Sequence, residues 1–294
     1  MLGIGVMIAK GRLRMKPFST SPARQRGFTL VELIMVIVLM GVIGGIMSVF
    51  MRGPIDAYFS SARRAALTDV ADTTVRRIAR DLRRALPNSI RTNATCANSL
   101  EFIPTKTGGR YRVDGTNALT FSAPVTTFNM LGDSATFAGA ALPNDQIIAA
   151  GDLVVVYNLG IPGADAYVGN NTSPVTSVGT VSAGETPINI TSRQFPLESG
   201  SNRFHVVAAN EQIVTYVCNG STLYRTATAS MTAPTTCTAG SIIATNVDCA
   251  GTSFAFSPTD LQRNAIVTMV LSIQDSTATE TVNLQHEVHV DNTP

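Results

Sequence analysis

An uncharged apolar run near the N-terminus constrains this chain more than any other feature. Residues 33–51 carry no charged side chain, and as a helix they would span about 28 Å at roughly 1.5 Å per residue. That length nearly matches the roughly 30 Å hydrocarbon core of a bilayer. The first 27 residues hold six basic side chains and no acid, and positive flanks stay cytoplasmic. We therefore expect residues 28–51 to cross a membrane once.

The residues that open this run form a distinctive pattern, in which Arg26, Gly27 and Phe28 precede Thr-Leu-Val-Glu. A secretory signal has an apolar region of about 7–15 residues with a small-x-small cleavage site after it. Residues 60–62 offer such a site only weakly, and the run before them is too long. A simple membrane anchor has no need of Glu32, because a carboxylate inside an apolar span costs a few kcal/mol and is usually partnered. The pattern favours cleavage between Gly27 and Phe28 over both alternatives.

This pattern resembles the processing site of type IV prepilins. The resemblance implies that residues 1–27 are a cytoplasmic leader, that prepilin peptidase cuts after Gly27, and that the new amine of Phe28 is methylated. Glu32 lies four residues after Phe28, about one helical turn, so its carboxylate can pair with that ammonium in the same or a neighbouring subunit. We expect Glu32 to set the register of assembly in this way.

The resemblance also implies partners and a location. The partners are prepilin peptidase, other major and minor pilins through the N-terminal helix, the inner-membrane assembly platform, and the lipid bilayer before assembly. The chain is expected as a single-pass inner-membrane protein with a periplasmic C-terminal domain, which then joins a pilus at the cell surface.

Helical periodicity continues beyond the apolar run. Apolar residues recur at mainly helical spacing over residues 52–87, which predicts an amphipathic periplasmic helix half. It should end before Pro87, because the residue preceding a proline is disfavoured in the helical region. Glycines and Pro54 interrupt residues 41–54. This segment either stretches on assembly, as in pilins, or kinks once at Pro54, and the sequence leaves both open.

One face of this second helix half is rich in arginine, at Arg63, Arg64, Arg76, Arg77, Arg80, Arg83 and Arg84. These side chains form inter-subunit salt bridges, contact DNA, or simply face solvent, and we favour the solvated face. No aromatic residues are interleaved with them, as single-strand binding requires, so nucleic acid is not expected as a primary partner. The whole chain has a net charge of +2, but loss of the six leader cations leaves 16 basic against 20 acidic residues, or −4.

The remaining residues, 88–294, read as a β-rich globular domain. Strand-like runs lie at 100–103, 110–113, 118–121, 153–157, 203–207, 212–218, 222–225, 253–256, 265–273 and 281–290. The dipeptide at 219–220, Asn-Gly, predicts a type I′ hairpin. Residues 122–150 and 158–202 read as long loops. The expected class is α+β, with a type IV pilin fold in which the long N-terminal helix packs on one antiparallel sheet.

Four cysteines, Cys96, Cys218, Cys237 and Cys249, fit an oxidising extracytoplasmic compartment. They form no C-x-x-C pair, which disfavours a zinc ribbon or a redox motif. Sequence alone leaves three pairings open. We favour Cys218–Cys249, with Cys96–Cys237 as the second bond.

Segments after the helix extend the resemblance to a subfamily. They lie at residues 83–90, 108–112, 203–207, 214–218, 223–225, 246–249 and 282–294. Together these segments resemble minor pilin-like proteins of the mannose-sensitive haemagglutinin (MSHA) pilus, and the architecture also resembles J-type minor pseudopilins of type II secretion. The resemblance implies a low-abundance subunit that helps to initiate assembly at or near the fibre tip. A tip adhesion module is the alternative from another class.

No catalytic set is evident, so we expect neither enzymatic activity nor a cofactor. On a strand, His286 and His289 point to opposite faces because they lie three residues apart, so they make a poor metal pair, and His205 lies in another strand. Loop carboxylates at Asp114, Asp133, Asp145, Asp152 and Asp165 have no ordered calcium-loop spacing. We therefore expect no metal site.

Overall fold

The computed structural model describes residues 27–92, 96, 98–231, 237, 240–257, 264–277 and 280–294. Apart from Gly27, the expected leader lies outside these residues. The chain divides into two compact units, residues 1–58 and 59–294.

A single long helix, α1, runs over Leu30–Leu82 and is assigned as helix continuously through Pro54. It ends five residues before Pro87, because the backbone after Leu82 forms hydrogen bonds with residues 103–105. Leu86 N–H donates to Ile103 C=O at 2.7 Å, and Thr105 N–H donates to Arg84 C=O at 2.7 Å. Proline is therefore not what terminates the helix. Arg84 and Ala85 N–H still close turns onto Asp81 and Leu82 C=O, whereas Leu86 N–H and Arg84 C=O have sheet-like partners.

Fifteen strands follow within the described residues. In chain order they are β1 Ser99–Phe102, β2 Thr107–Tyr111, β3 Val125–Leu131, β4 Thr136–Phe137, β5 Ala140–Ala141, β6 Leu153–Val156, β7 Thr172–Val178, β8 Glu185–Arg193, β9 Arg203–Val207, β10 Ile213–Asn219, β11 Thr222–Thr228, β12 Ser241–Thr245, β13 Ser253–Ser257, β14 Asn264–Gln274 and β15 Thr281–Asp291.

These strands form four sheets rather than one, so the expected single pilin sheet is wrong. One sheet has the order β1-β10-β11-β12, another β13-β14-β15, and β4 pairs only with β5. The strands β2-β3-β8-β7-β6-β9 close into a barrel. The coarser α+β layout, one long apolar N-terminal helix and a strand-rich C-terminal domain, fits a pilin-like architecture.

The prediction of long loops over 122–150 and 158–202 is wrong, because these residues hold β3, β4, β5, β7 and β8. The composition of two barrel strands explains why they read as loops. β7 and β8 carry Pro174 and Pro187 together with Ser, Thr and Asn, which argue against strands when taken singly. Residues 118–121, predicted as a strand, form none. Leu119 is nevertheless buried in the barrel core.

The predicted hairpin is present, but its turn differs from the prediction. Asn219 still pairs with Thr222, so the loop consists of residues 220 and 221. Gly220 has φ +65°, whereas Asn219 is not among the residues with positive φ. A left-handed glycine at the first central position is the requirement of a type II′ turn rather than a type I′ turn.

The C-terminal half of α1 packs on two of the sheets. Its buried side chains are Ala71, Thr74, Val75, Ile78, Ala79 and Leu82. The apolar ones among them share a cluster with Tyr216 of β10 and Met269 of β14. These helix positions recur at spacings of three or four, so one stripe faces the sheets.

Candidate functional site

The predicted cleavage site lies in non-helical backbone just before α1. Gly27, Phe28 and Thr29 precede the first helical residue, and the Phe28 side chain is 78% exposed. A Cβ added at Gly27 meets nothing within 4 Å. Both residues at the bond between Gly27 and Phe28 are exposed, and packing against the described residues does not require glycine at position 27.

Thr29 caps the start of α1. Thr29 Oγ1 accepts a hydrogen bond from Glu32 N–H at 3.3 Å, and Thr29 C=O accepts one from Leu33 N–H at 3.1 Å. Thr29 is thus the N-cap residue, and Glu32 occupies the third helical position, as in the Thr-x-x-Glu capping box. This local signal is present in the sequence and was missed in the sequence analysis.

The cap changes the geometry expected for Phe28 and Glu32. Phe28 lies before the N-cap rather than one helical turn from Glu32. A pair within one chain would therefore have to reach back over Thr29, whereas a pair between neighbouring subunits has no such requirement. A carboxylate in the first turn also interacts favourably with the helix dipole.

The first half of α1 leaves its apolar side chains unburied. Large apolar residues from Leu30 to Met51 are between 45% and 75% exposed, apart from Phe50 at 79%. Within the described residues, α1 is the one helix that is long and apolar enough to cross a membrane. A helix that is apolar all round is normally buried in lipid or among other helices. This segment is compatible with inner-membrane anchoring.

Comparison with known protein families identifies a prokaryotic N-terminal methylation motif over residues 22–48. That interval contains Gly27, Phe28 and Glu32. The motif supports a type IV pilin-like protein. It implies processing by prepilin peptidase and interactions with pilins in general. No curated protein and no solved structure matches the chain significantly.

The structure contains both of the favoured disulfides. Cys218 of β10 bonds to Cys249, with Cα atoms 5.5 Å apart, and Cys96 bonds to Cys237, with Cα atoms 5.6 Å apart. The first bond ties the four-stranded sheet to the segment between β12 and β13. The second closes a separation of 141 residues.

The arginine-rich face of α1 is exposed, and its members differ in their partners. Arg63 and Arg64 approach Glu280 at 3.7 and 3.2 Å, and Arg76 pairs with Asp72 at 2.6 Å. Within the described part of the chain, no ion pair is found for Arg77, Arg80 or Arg83. These three remain candidates for contact with another subunit or for simple solvation.

The histidines do not converge. His286 is on the half-buried face of β15 and His289 is on the exposed face, as strand alternation predicts. His205 of β9 is largely buried, and its Nε2 has no hydrogen-bond partner among the described residues. Burial lowers the pKa of His205, the Arg203 charge lowers it further, and Asp291 opposes them.

The loop aspartates serve separate local roles. Asp133 accepts hydrogen bonds from Thr136 Oγ1 at 2.6 Å and Ala135 N–H at 2.9 Å, which lower its pKa. Asp152 is buried and pairs with Lys106 at 2.8 Å. Asp165 accepts from Tyr167 N–H. Asp114 and Asp145 are exposed. Among the described residues, no group of three or more His, Cys, Asp or Glu could hold a metal ion.

A polar network attaches α1 to the four-stranded sheet, and no local sequence pattern indicates it. Asp81 Oδ2 accepts hydrogen bonds from Tyr216 Oη at 2.7 Å and from Arg225 Nε at 2.8 Å. Arg225 Nη2 also contacts Glu211 at 2.7 Å. Burial and the Asp81 charge raise the pKa of Tyr216. Because these residues are up to 144 positions apart, only the fold brings them together.

Proposed function

We propose that this protein is a minor pilin-like subunit that takes part in the assembly or initiation of an MSHA-type type IV pilus, of the MshO kind. The methylation motif over residues 22–48 carries the proposal. The exposed scissile bond, the capped helix start and the unburied apolar half of α1 support it. The subunit is inserted in the inner membrane, processed at Phe28, and joins other pilins near the fibre tip.

The same motif also suits a J-type minor pseudopilin of type II secretion. The two roles share leader, helix and cleavage chemistry, and they differ in the partner subunits. Co-purification of the processed chain with pilus subunits or with secretion pseudopilins distinguishes them. A tip adhesion role is compatible with either, and no catalytic activity or cofactor is proposed.

Substitutions at Glu32 test the assembly mechanism. We expect Glu32→Ala and Glu32→Gln to be cleaved normally but to be absent from fibres, because both lose the charge that pairs with the Phe28 ammonium. Glutamine also serves at the third position of a capping box, so Glu32→Gln keeps the cap while removing the charge. The readout is the amount of processed subunit in sheared fibres relative to the membrane fraction.

The matched control is Asp72→Ala, which removes a carboxylate from an exposed helical pair in the same helix and should assemble normally. Incorporation of Glu32→Gln at the level of the unmodified protein would show that Glu32 acts as a capping residue rather than as an ion-pair partner.

A further inference from the structure

The barrel interrupts the four-stranded sheet as one continuous insertion. The chain leaves this sheet at the end of β1 and returns at β10, and the two strands pair directly from Ser99↔Val217 to Phe102↔Val214. All six barrel strands lie between them, over residues 107–207. Lys106 N–H donates to Val206 C=O at 2.8 Å, so the entry and exit of the insert are adjacent.

The insert has a hydrophobic core of its own. Its buried apolar residues are Tyr111, Leu119, Phe128, Ile148, Val154, Val156, Val175, Ile188, Ile190, Phe195, Phe204 and Val206. All of them belong to the insert. Phe128 and Phe204 pack edge to face at its centre, with ring centroids 5.2 Å apart. About 100 residues lie within the usual size range of an independent domain, roughly 50–250 residues.

The remainder of the C-terminal domain has a second core without any residue of the insert. Its members come from α1, from the region around β1, and from the segment between β10 and β15. We call this part, residues 59–104 and 208–294, the pilin-like core. Both disulfides lie within it, so its cross-links do not depend on the barrel.

The seam between the two bodies is partly apolar and partly polar. Asn158 Nδ2 donates to Pro87 C=O at 2.7 Å, and Tyr167 Oη donates to Ser89 C=O at 2.8 Å. Leu86 and Ile103 of the pilin-like core contact four buried residues of the insert, Leu153, Val155, Ala166 and Val207. Arg91 lies over the Tyr167 ring at 3.3 Å. A polar cleft of about 350 Å³ is lined by residues of both bodies, among them Arg84 and Asn144, and by Lys106 of the connecting segment.

We propose that residues 107–207 are a separately folding module, displayed by the pilin-like core and not needed for assembly. This inference rests on the proposed pilin function. Assembly is then carried by α1 and the sheets that pack on it, and the barrel is available for a second, external role. Two separate hydrophobic cores and adjacent insertion points carry the proposal.

Hydrogen exchange in the full-length protein tests the separate folding. Phe128→Ala removes the centre of the barrel core and should accelerate exchange of the slowest β6 and β9 amides about 100-fold or more. Amides of β14 and β15 should keep their rates. The matched variant Ile78→Ala should accelerate exchange in β14 and β15 and leave the barrel unchanged. Equal acceleration of both sets by either variant would overturn the proposal.

Deletion tests whether the barrel is needed for assembly. Residues 106–207 are replaced by a short Gly-Ser linker, and Leu86→Ser with Ile103→Thr is added to remove the apolar seam. A second variant, Phe128→Ala with Phe204→Ala, keeps the insert but disrupts its core. With both disulfides verified by mass, each variant should enter fibres at the level of the intact chain.

Exclusion of both correctly bonded variants from fibres that accept the intact chain would overturn the proposal. If the intact chain enters no fibre, that result contradicts the proposed function and not the module. The hydrogen-exchange experiment then still tests whether residues 107–207 fold separately, because it does not depend on fibre assembly.

Discussion

Replacement of Asp81 should weaken the attachment of α1 to the four-stranded sheet. Asp81→Ala leaves the Tyr216 hydroxyl and Arg225 Nε without their shared acceptor. Hydrogen bonds to charged groups contribute about 1.5–3 kcal/mol each, and breaking a fully buried ion pair costs about 3–5 kcal/mol. The Asp81 side chain is 22% exposed, and Arg225 still has its ion pair with Glu211. We therefore expect Asp81→Ala to lower the free energy of unfolding by about 2–3 kcal/mol.

The assay is urea unfolding of residues 59–294, monitored by circular dichroism. Tyr216→Phe removes the same hydrogen bond from the other side. The loss of unfolding free energy in the double variant, Asp81→Ala with Tyr216→Phe, should therefore be smaller than the sum of the two single losses by about 1–2 kcal/mol. The matched control is Asp72→Ala on the same helix, whose exposed pair with Arg76 should contribute little because solvent screens it. Equal losses of unfolding free energy for Asp81→Ala and Asp72→Ala would contradict this role of Asp81.

Two further predictions concern the pH dependence and the cross-links. Burial lowers the folded-state pKa of His205 below the ordinary 6.5, so the unfolded chain takes up its proton first and stability should fall as pH decreases below about 6.5. Urea midpoints at pH 7.5 and 5.5 should show this loss, and His205→Gln should lack it; an unchanged pH slope would contradict the assignment. Replacing Cys218 and Cys249 by serine opens a bond with a separation of 31 residues and should cost about 3 kcal/mol. An unfolding midpoint equal to that of the oxidised protein would contradict this.

The sequence was most informative where periodicity and side-chain chemistry agree. The apolar run gave the helix, and β14 and β15 follow from alternating β-branched residues. β2 shows the opposite case. It contains Gly108 and Gly109, which lower its strand signal, yet the backbone of β9 leaves no room for a side chain at Gly108, and the space at Gly109 is tight. A Cβ at Gly108 would lie 2.8 Å from Phe204 O, and one at Gly109 would lie 3.0 Å from Phe204 Cε1.

Closure of the barrel could not be predicted from local pattern. Its strands pair across distances such as Thr107↔Val206. A short strand with a polar residue at an inward position, such as Thr186 of β8, shows only a weak period of two. Ile188 and Ile190 of β8 are buried, while the residues between and before them are half exposed. An alternation this short identifies a strand only when the strands that pair with it are known. For the candidate site the reverse holds, because Gly27, Phe28 and Glu32 lie within six consecutive residues, so a local sequence pattern is enough to predict them.

The most direct test is the N-terminal sequence and mass of the protein isolated from its native membrane. We expect a chain that begins at Phe28 with a methylated amine and carries two disulfides. An intact leader, or an N-terminus near Arg63, would contradict the prepilin pathway and the assembly role built on it.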